Sequence, residues 1–323
     1  MGVILVTGGA GYIGSHAARA LRRAGYEVLL YDNLCTGFRC LAEGFELIEA
    51  DIGDAAKLRA ALSRVDAVMH FAAHAYVGES VTAPRKYFRN NVTAALTLLD
   101  AVIDAGIKYF VFSSTCAVYG NPDHIPISER TPCQPVSPYG VSKLFLERAL
   151  EAYGQAYGLP SAQLRYFNAA GADESGDIGE LHSPETHLIP LVLAACTDTG
   201  PELQVYGSDY PTPDGSCIRD YIHVTDLADA HVRALQYLEN GGGSLTANLG
   251  TGRGYSVLEV IQAAERITGC RVRRKLASRR PGDPPALVAD PSHAQAVFQW
   301  CAKHDLIEMI SSAWKWMQRE SRG

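Results

Sequence analysis

The sequence predicts an α/β protein, a Rossmann-type doubly wound parallel sheet with a smaller C-terminal lobe. Three observations carry that expectation. Val3, Ile4, Leu5 and Val6 run into Thr7, Gly8, Gly9, Ala10, Gly11, Tyr12, Ile13 and Gly14, the pattern of a buried parallel strand turning tightly into a helix. A second apolar run, Val28 to Tyr31, ends at Asp32. Further runs alternate with helix-period segments as far as Thr115, the rhythm of strand, crossover and strand.

Gly9, Gly11 and Gly14 satisfy G-x-G-x-x-G, and Gly8, Gly11 and Gly14 satisfy the wider G-x-x-G-x-x-G. A pyrophosphate needs backbone N–H groups and a helix N-terminus, which side chains at those points would block. Taken alone, the motif is matched evenly by a glycine-rich turn that binds nothing. Asp32 shifts the balance, because it lies close to the roughly 20-residue offset at which an acid meets the adenosine ribose. An acid there accepts from a 2′-hydroxyl and repels a 2′-phosphate, so the expected cofactor is NAD rather than NADP.

After Asp32 and Asn33, Phe45 to Glu49 reads as a third strand and Asp51-Ile52 as its exit. Asp51 either accepts from an adenine amino group or begins the helix from Asp54 to Leu62. Val65 to Phe71 reads as a fourth strand leading into Ala72, Ala73 and His74, where small residues let a cofactor approach the backbone. His74 is either a general base or, more commonly for a lone histidine, a polar lining residue. Apolar positions from Tyr87 to Val102 recur at helical spacing, predicting a helix between Pro84 and Ala105 with Asn90 and Asn91 near its start. Tyr109 to Phe112 forms a fifth strand that exits into Ser113, Ser114 and Thr115. Ligands bind beyond the carboxyl ends of such strands, which puts Thr115 at the floor of a site.

In Ser137-Pro138-Tyr139-Gly140-Val141-Ser142-Lys143 a helix beginning near Pro138 places Tyr139 and Lys143 on one face. A phenol near pKa 10 is a poor base at neutral pH, and an adjacent ammonium and a positive nicotinamide ring would favour phenolate. Tyrosine and lysine share a helix by chance often enough. Here they follow a glycine turn, an acid after strand two and a Ser/Thr cluster, in the order one site requires.

Composition bounds the reading. The 323 residues, 47% hydrophobic and 20% charged, suit a globular enzyme with one large domain and an attached lobe. A net charge of −6 gives no reason to expect nucleic acid. The start Met-Gly-Val-Ile-Leu-Val lacks a basic region and is not expected to be a secretory signal. No run reaches the roughly 18 apolar residues of a membrane span. Eight cysteines lie scattered without C-x-x-C or paired His/Cys spacing, which suits thiols in a reducing cytoplasm better than disulfides or a metal site.

Over nearly its whole length the chain resembles the UDP-glucose 4-epimerase family of extended short-chain dehydrogenases/reductases. The stretches that carry the likeness are Thr7 to His16, Asp32 to Cys35, Phe71 to Ser80, Phe112 to Gly120, Ser137 to Lys143, Arg165 to Asn168, Ile218 to Asp229 and Arg279 to Asp283. The resemblance implies that Tyr139 takes the proton from the sugar 4-hydroxyl, that Lys143 holds the nicotinamide ribose, and that Thr115 bridges substrate and tyrosine. It places Gly8, Gly11, Tyr12, Ile13, Gly14, Asp32, Asn33, Asp51, Ile52, Phe71, Ala72, Ala73, Asn90, Lys143, Tyr166 and Phe167 against NAD. It places Asn168, His187, Leu188, Tyr206, Arg219, Arg280 and Asp283, beside Thr115 and Tyr139, against the UDP-sugar, with Leu287 bearing on which sugar is accepted. Guanidinium groups suit a diphosphate, and for Arg280 the Arg-Pro-Gly-Asp segment favours that role. The basic run Arg271 to Lys275 reads instead as a solvated edge.

The likeness further implies an NAD-binding part over 1–167, to which 218–250 returns, a sugar-nucleotide lobe over most of 168–323, and a homodimer through the helices around Tyr87 to Ala105 and Tyr139 to Tyr153. Ala75 stands where some epimerases carry a lysine, so one cationic cofactor contact is missing. Leu287 is smaller than the tyrosine of members that exclude N-acetylated sugars and larger than the cysteine or serine of permissive ones. UDP-glucose and UDP-galactose are therefore the expected pair, with UDP-N-acetylhexosamine or UDP-xylose/arabinose as alternatives. A dehydratase would show Asp-Glu, and a decarboxylase Ser-Glu, where Cys116 and Ala117 stand. A silent NAD-sensing protein would commonly lack Tyr139 or Lys143.

Overall fold

The computed structural model describes residues 2–197, 199–280 and 283–320. Pro281 and Gly282, inside the matching Arg279 to Asp283 stretch, lie outside the described residues. Seven strands form one parallel sheet: β1 (Val3–Thr7), β2 (Glu27–Asp32), β3 (Glu46–Glu49), β4 (Ala67–His70), β5 (Tyr109–Thr115), β6 (Ser161–Tyr166) and β10 (Leu245–Leu249). Their order is β10-β6-β5-β4-β1-β2-β3. The order reverses between β1 and β4, and the crevice beyond their carboxyl ends is where such sheets bind ligands. Ser113 to Thr115, expected as an exit, remain paired in β5 opposite Leu164, Arg165 and Tyr166.

Helices cover both faces, as a sheet buried on both sides demands. α1 (Tyr12–Arg23) lies against α8 (Val224–Glu239), with Ala17, Ala18, Leu21, Leu227, Ala234 and Leu235 in one core. On the opposite face α2 (Ala55–Leu62), α5 (Ala95–Asp104) and α6 (Pro138–Tyr157) bury Leu58, Leu98, Leu99, Leu146 and Leu150 against β4 and β5. Asp54, not Asp51, caps α2, accepting from Ala56 N and Lys57 N. The helix expected from Pro84 to Ala105 runs without interruption from Pro84 to Asp104 and carries a π-helical segment within it. Beyond α3 (Val77–Thr82), α4 (Pro84–Tyr87) runs into a π-helical turn, Phe88–Ala94, before α5 begins. The extra residue of that turn rotates Asn91 inward, where the site uses it.

Most of the remaining elements follow β6 in the chain and form the smaller part of the structure. β7 (Asn168–Ala170), β9 (Ile218–His223), β11 (Gly254–Ser256) and β13 (Ala286–Leu287) form a small mixed sheet around β9. β8 (Leu203–Tyr206) pairs with β12 (Arg274–Ala277), whose Arg274 and Lys275 are exposed. α7 (Leu188–Ala195), α9 (Val257–Thr268) and α11 (Leu306–Glu320) pack together over Ile189, Val260, Ile261, Met309 and Ile310. α10 (Ser292–Phe298) lies on α8 and β10, so Ala294, Phe298 and Trp300 join the core of the large sheet. Trp316 packs, as expected, and its indole N–H donates to Glu180 O.

Three buried rings are kept neutral. Burial lowers His16 and His231 to about 4, against the pull of hydrogen bonds to Tyr12 and Leu227 carbonyls, and lowers His70 to about 3. In each case the unfolded chain binds a proton that the folded chain refuses, so the stability is complete above pH 6.5 and is lost as pH falls toward the folded pKa. Urea midpoints should fall between pH 7 and 5, each ring accounting for about 2 kcal/mol. His231→Gln should flatten that slope, and an unchanged slope would show that the ring is not held neutral.

Candidate active site

The turn from β1 into α1 explains the glycines unequally. Gly8 has φ +72, and a Cβ there would lie 2.6 Å from Ala72 N. A Cβ on Gly14 would lie 2.2 Å from Gly8 O, and one on Gly9 2.7 Å from Leu30 Cδ2. These three glycines are therefore required by the protein's own packing, not directly by a ligand as the motif suggested. Gly11 is the least confined of the four, a Cβ there meeting Gly8 O alone, at a tight 3.2 Å. Gly11 also begins α1 without any side-chain cap, leaving the first-turn donors and the positive end of the helix available to an anion.

Asp32, 8% exposed, accepts from Ala10 N at 3.0 Å and Leu34 N at 2.8 Å. Burial raises its pKa against those two hydrogen bonds. Asn33 donates to Asp51 Oδ2 at 2.7 Å and Gly53 N to Asp51 Oδ1 at 2.7 Å, so Asp51 closes the β3 exit beside β2 instead of starting a helix. Ile52 is buried. Across the switch point Thr7 and His70 share a 2.7 Å hydrogen bond. Phe71 packs on the His231 ring at 4.8 Å, and Ala72 and Ala73 continue the exit beside Gly8. Asn91 then holds that exit: its Oδ1 accepts from His74 N, and its Nδ2 donates to His74 O and Ser142 Oγ. Asn90 donates to Asn91 Oδ1 at 2.9 Å. His74 is half-buried, its pKa lowered by burial and by Lys86.

Ser137 caps α6, accepting from Gly140 N, and the helix carries Tyr139 and Lys143 under the end of β5. Lys143 Nζ donates to Ser113 O at 2.7 Å and lies 4.9 Å from the Phe112 ring and 6.0 Å from the Tyr139 ring. Burial lowers Lys143 to about 7, with Glu147 opposing. Tyr139 goes the other way from expectation. Burial, followed by Tyr166, raises its pKa, and a hydrogen bond with Thr115 opposes the rise. The largest influence in the chain by itself is the desolvation of a phenol only 7% exposed, whereas the expected depression combined the lysine with a positive nicotinamide ring. Thr115 Oγ1 also accepts from Ala117 N at 3.1 Å. Tyr166 meets Ser113 Oγ at 2.6 Å, and Phe167 is buried beside Val118 and Tyr119.

The groups expected at a sugar nucleotide come from the smaller sheet and its neighbours. Asn168 donates to Asp220 O at 2.9 Å. Arg219 meets Asp283 Oδ1 at 2.9 Å and sits in register with Leu287 on β13. The Arg280 guanidinium lies 4.0 Å from the Tyr206 ring. His187 stands at the start of α7, just before Leu188. Its Nδ1 lies 2.9 Å from Glu180 Oε1 and 3.0 Å from Glu185 Oε1. Burial works against its charge, but those two carboxylates prevail and raise it to about 10.

Sequence reasoning missed Asn91, Glu147 and Arg165, and also Glu180, His182 and Glu185. Asn91 adjoins a residue that was singled out, and only the π turn distinguishes the two. For Glu147 the signal was helical phase, since it continues the Tyr139 and Lys143 face by one more turn. For Glu180, His182 and Glu185 it was the spacing E-x-H-x-x-E-x-H, and for Arg165 no local signal pointed to its pairing with Glu147.

Sheet order, a glycine at an uncapped helix start, an acid after β2 and a buried tyrosine–lysine pair define a nucleotide-cofactor-binding α/β protein. Residues 4–250 match the NAD dependent epimerase/dehydratase family, and the chain belongs to it. It is 50% identical over 317 residues to a UDP-glucose 4-epimerase of Azospirillum brasilense, covering 97% of this chain and 91% of that one. A UDP-glucose 4-epimerase from Brucella ovis, solved with NAD, is 49% identical with a TM-score of 0.94, covering 97% of this chain and 98% of its own. One from Stenotrophomonas maltophila, solved with NAD and formylated UDP-arabinopyranose, is 44% identical with a TM-score of 0.96, covering 100% and 99%.

Gly14→Ala, forced against Gly8 O, should cost about 1–3 kcal/mol in urea unfolding, whereas Gly11→Ala should cost under about 1 kcal/mol. Equal losses would refute the unequal roles of the two glycines.

Proposed function

We propose that this protein is an NAD-dependent 4-epimerase of UDP-sugars, interconverting UDP-glucose and UDP-galactose through a 4-keto intermediate. The observation that carries this reading is the buried Tyr139 and Lys143, one turn apart on α6 beneath Thr115 at the end of β5. Full-length identity to relatives named UDP-glucose 4-epimerase supports it.

The residues present fit NAD. The uncapped start of α1 at Gly11 would take the pyrophosphate, with Tyr12, Ile13 and Gly14 forming the first turn. Asp32 would accept from the adenosine ribose; its two oxygens retain lone pairs beyond those used by Ala10 N and Leu34 N. Asp51 and Ile52 would flank the adenine, while Phe71, Ala72, Ala73 and Asn90 would line the approach at the β4 exit. Lys143, Tyr166 and Phe167 would meet the nicotinamide end. When bound, NAD supplies the acceptor and later donor of the hydride at the sugar C4, and a positively charged ring.

Tyr139 removes the proton of the 4-hydroxyl and returns it to the 4-keto oxygen, with Thr115 bridging the two hydroxyls. Lys143, anchored on Ser113 O, orients the ribose. Arg219 and Arg280 meet the diphosphate, Tyr206 and Asp283 hold them in place, and Asn168, His187 and Leu188 complete the pocket. Leu287, in register with Arg219, limits the sugar's bulk.

A homodimer is proposed through α3, α4, the π turn and α6, where Val81, Phe88, Val141 and Phe145 are exposed apolar side chains on helices that pack together. We place the protein in the cytoplasm on its eight free thiols. Among the described residues no helix is long and apolar enough to cross a membrane.

Tyr139→Phe should lower UDP-galactose turnover by about 10²- to 10⁴-fold while leaving NAD binding within twofold. A coupled UDP-glucose dehydrogenase assay reads the first and fluorescence titration the second; parallel losses would make Tyr139 structural. Asp32→Ala should narrow the preference for NAD over NADP, read as the ratio of dissociation constants. Turnover of UDP-N-acetylgalactosamine and UDP-arabinose beside UDP-galactose would rank the alternatives, and inactivity on all would end the epimerase reading.

A further inference from the structure

Glu180, His182, Glu185 and His187 lie on one irregular loop that leads into α7, and each offers a ligand atom within 4.8 Å of every other. Two imidazoles and two carboxylates form a donor set suited to divalent transition ions of borderline softness. The spacing is already close to a coordination shell. Bonds of about 2.0–2.1 Å in a tetrahedron set neighbouring ligand atoms roughly 3.3 Å apart. His182 Nδ1 stands 3.3 Å from Glu180 Oε1 and 3.4 Å from Glu185 Oε2. His187 Nδ1 stands 2.9 Å from Glu180 Oε1 and 3.0 Å from Glu185 Oε1. These contacts use both Glu185 oxygens, and the remaining separations extend to at most 4.8 Å, so side-chain rotations would draw the four groups onto one ion.

A second observation concerns His182. Its Nδ1 is shielded from solvent and, near as it is to both carboxylates, forms no aligned hydrogen bond. The ring is wedged among aromatics, with Tyr12 at 6.3 Å, Tyr76 at 6.0 Å and His187 at 4.7 Å between centroids. Glu180 is held from behind, its backbone carbonyl accepting from the Trp316 indole. Glu185 Oε1 also accepts from Thr186 N, His187 N and His187 Nδ1, so a bound cation would take the place of the protons that the two histidines share with the carboxylates.

We propose that Glu180, His182, Glu185 and His187 bind one divalent transition-metal cation, Zn²⁺ foremost, which fastens this loop between the start of α1 and α7. His187 also belongs to the proposed sugar-nucleotide pocket, so the cation site adjoins that pocket, and the binding test reads the metal without relying on turnover.

Co²⁺ is the probe, because its visible bands report ligand number and type. Titrated into the full-length protein as purified with its cofactor, it should bind once per chain and give tetrahedral nitrogen/oxygen bands without the near-ultraviolet thiolate band that any of the eight cysteines would add. His182→Gln and, independently, Glu185→Gln should weaken binding at least about 100-fold, more than an outer-shell change would. Zn²⁺ should raise the thermal midpoint of the parent and of neither variant. Circular dichroism would certify that the variants fold, and one folded variant suffices. Absence of saturable binding, a thiolate band, or unchanged affinity in a folded variant would each show that the cluster is only a set of ion pairs.

Discussion

The position of α6 rests on one buried ion pair. Arg165 on β6 forks onto Glu147 with contacts of 2.9 and 2.6 Å, and both side chains are almost fully enclosed. Burial disfavours the guanidinium charge, and the carboxylate more than restores it. Ser114 on β5 donates to the same Glu147 oxygen, and Arg165 reaches on to Tyr119, whose hydroxyl donates to Asn248 on β10. A pair of this kind adds little net stability, because desolvation offsets the attraction. What it supplies is position: a bidentate contact holds one registration of helix against strand, and any other leaves a charge unpaired in the interior. Glu147 lies one turn beyond Lys143, which lies one turn beyond Tyr139, so the clamp sets the depth of both.

Much of this was legible in sequence, and the boundary follows from range. The succession of strands along the chain, the glycine turn, Asp32 after β2 and the Tyr139–Lys143 spacing are local facts about period and turn chemistry, which a short stretch of chain determines by itself. The unequal roles of the glycines were not local. Gly8 is small because Ala72 passes behind it, and Gly14 because the turn folds back on Gly8. Ala72 lies far outside the motif, and the fold-back of Gly14 onto Gly8 cannot be read from their spacing. The π turn was hidden for a similar reason: the apolar spacing from Tyr87 to Val102 tolerates one inserted residue, and only the inward demand of Asn91 for His74 and Ser142 fixes where it falls.

The site is a seam between the large sheet and the later elements. β6 passes directly into β7, so Tyr166, proposed for the cofactor, and Asn168, proposed for the sugar nucleotide, stand two residues apart. Tyr12 donates to Gly171 O at 2.6 Å, and Arg23 meets Asp173 at 2.8 Å, so the first helix after the glycine turn is tied to the loop region of the lobe at both ends. β10 and α10 then return to the large sheet. Three crossings of this kind resist opening better than one, and they let residues from distant parts of the chain keep fixed separations.

The electrostatics of Tyr139 depend on that enclosure. Its neighbours from the chain, Tyr166, Cys116 and Tyr87, all disfavour phenolate, and Thr115 alone favours it. Lys143 sits 6.0 Å from the ring, directed to Ser113 O, with its own charge made marginal near neutral pH by burial. The protein thus holds a neutral phenol in a dry pocket. Such a group becomes a base only when a cation is placed against it, since low dielectric magnifies any added charge. A lone exposed tyrosine would titrate independently of ligand, whereas this one couples its basicity to occupancy of the cleft. In the proposed reaction, the same burial that opposes phenolate in the chain by itself would make proton abstraction by Tyr139 depend on a charged cofactor being in place.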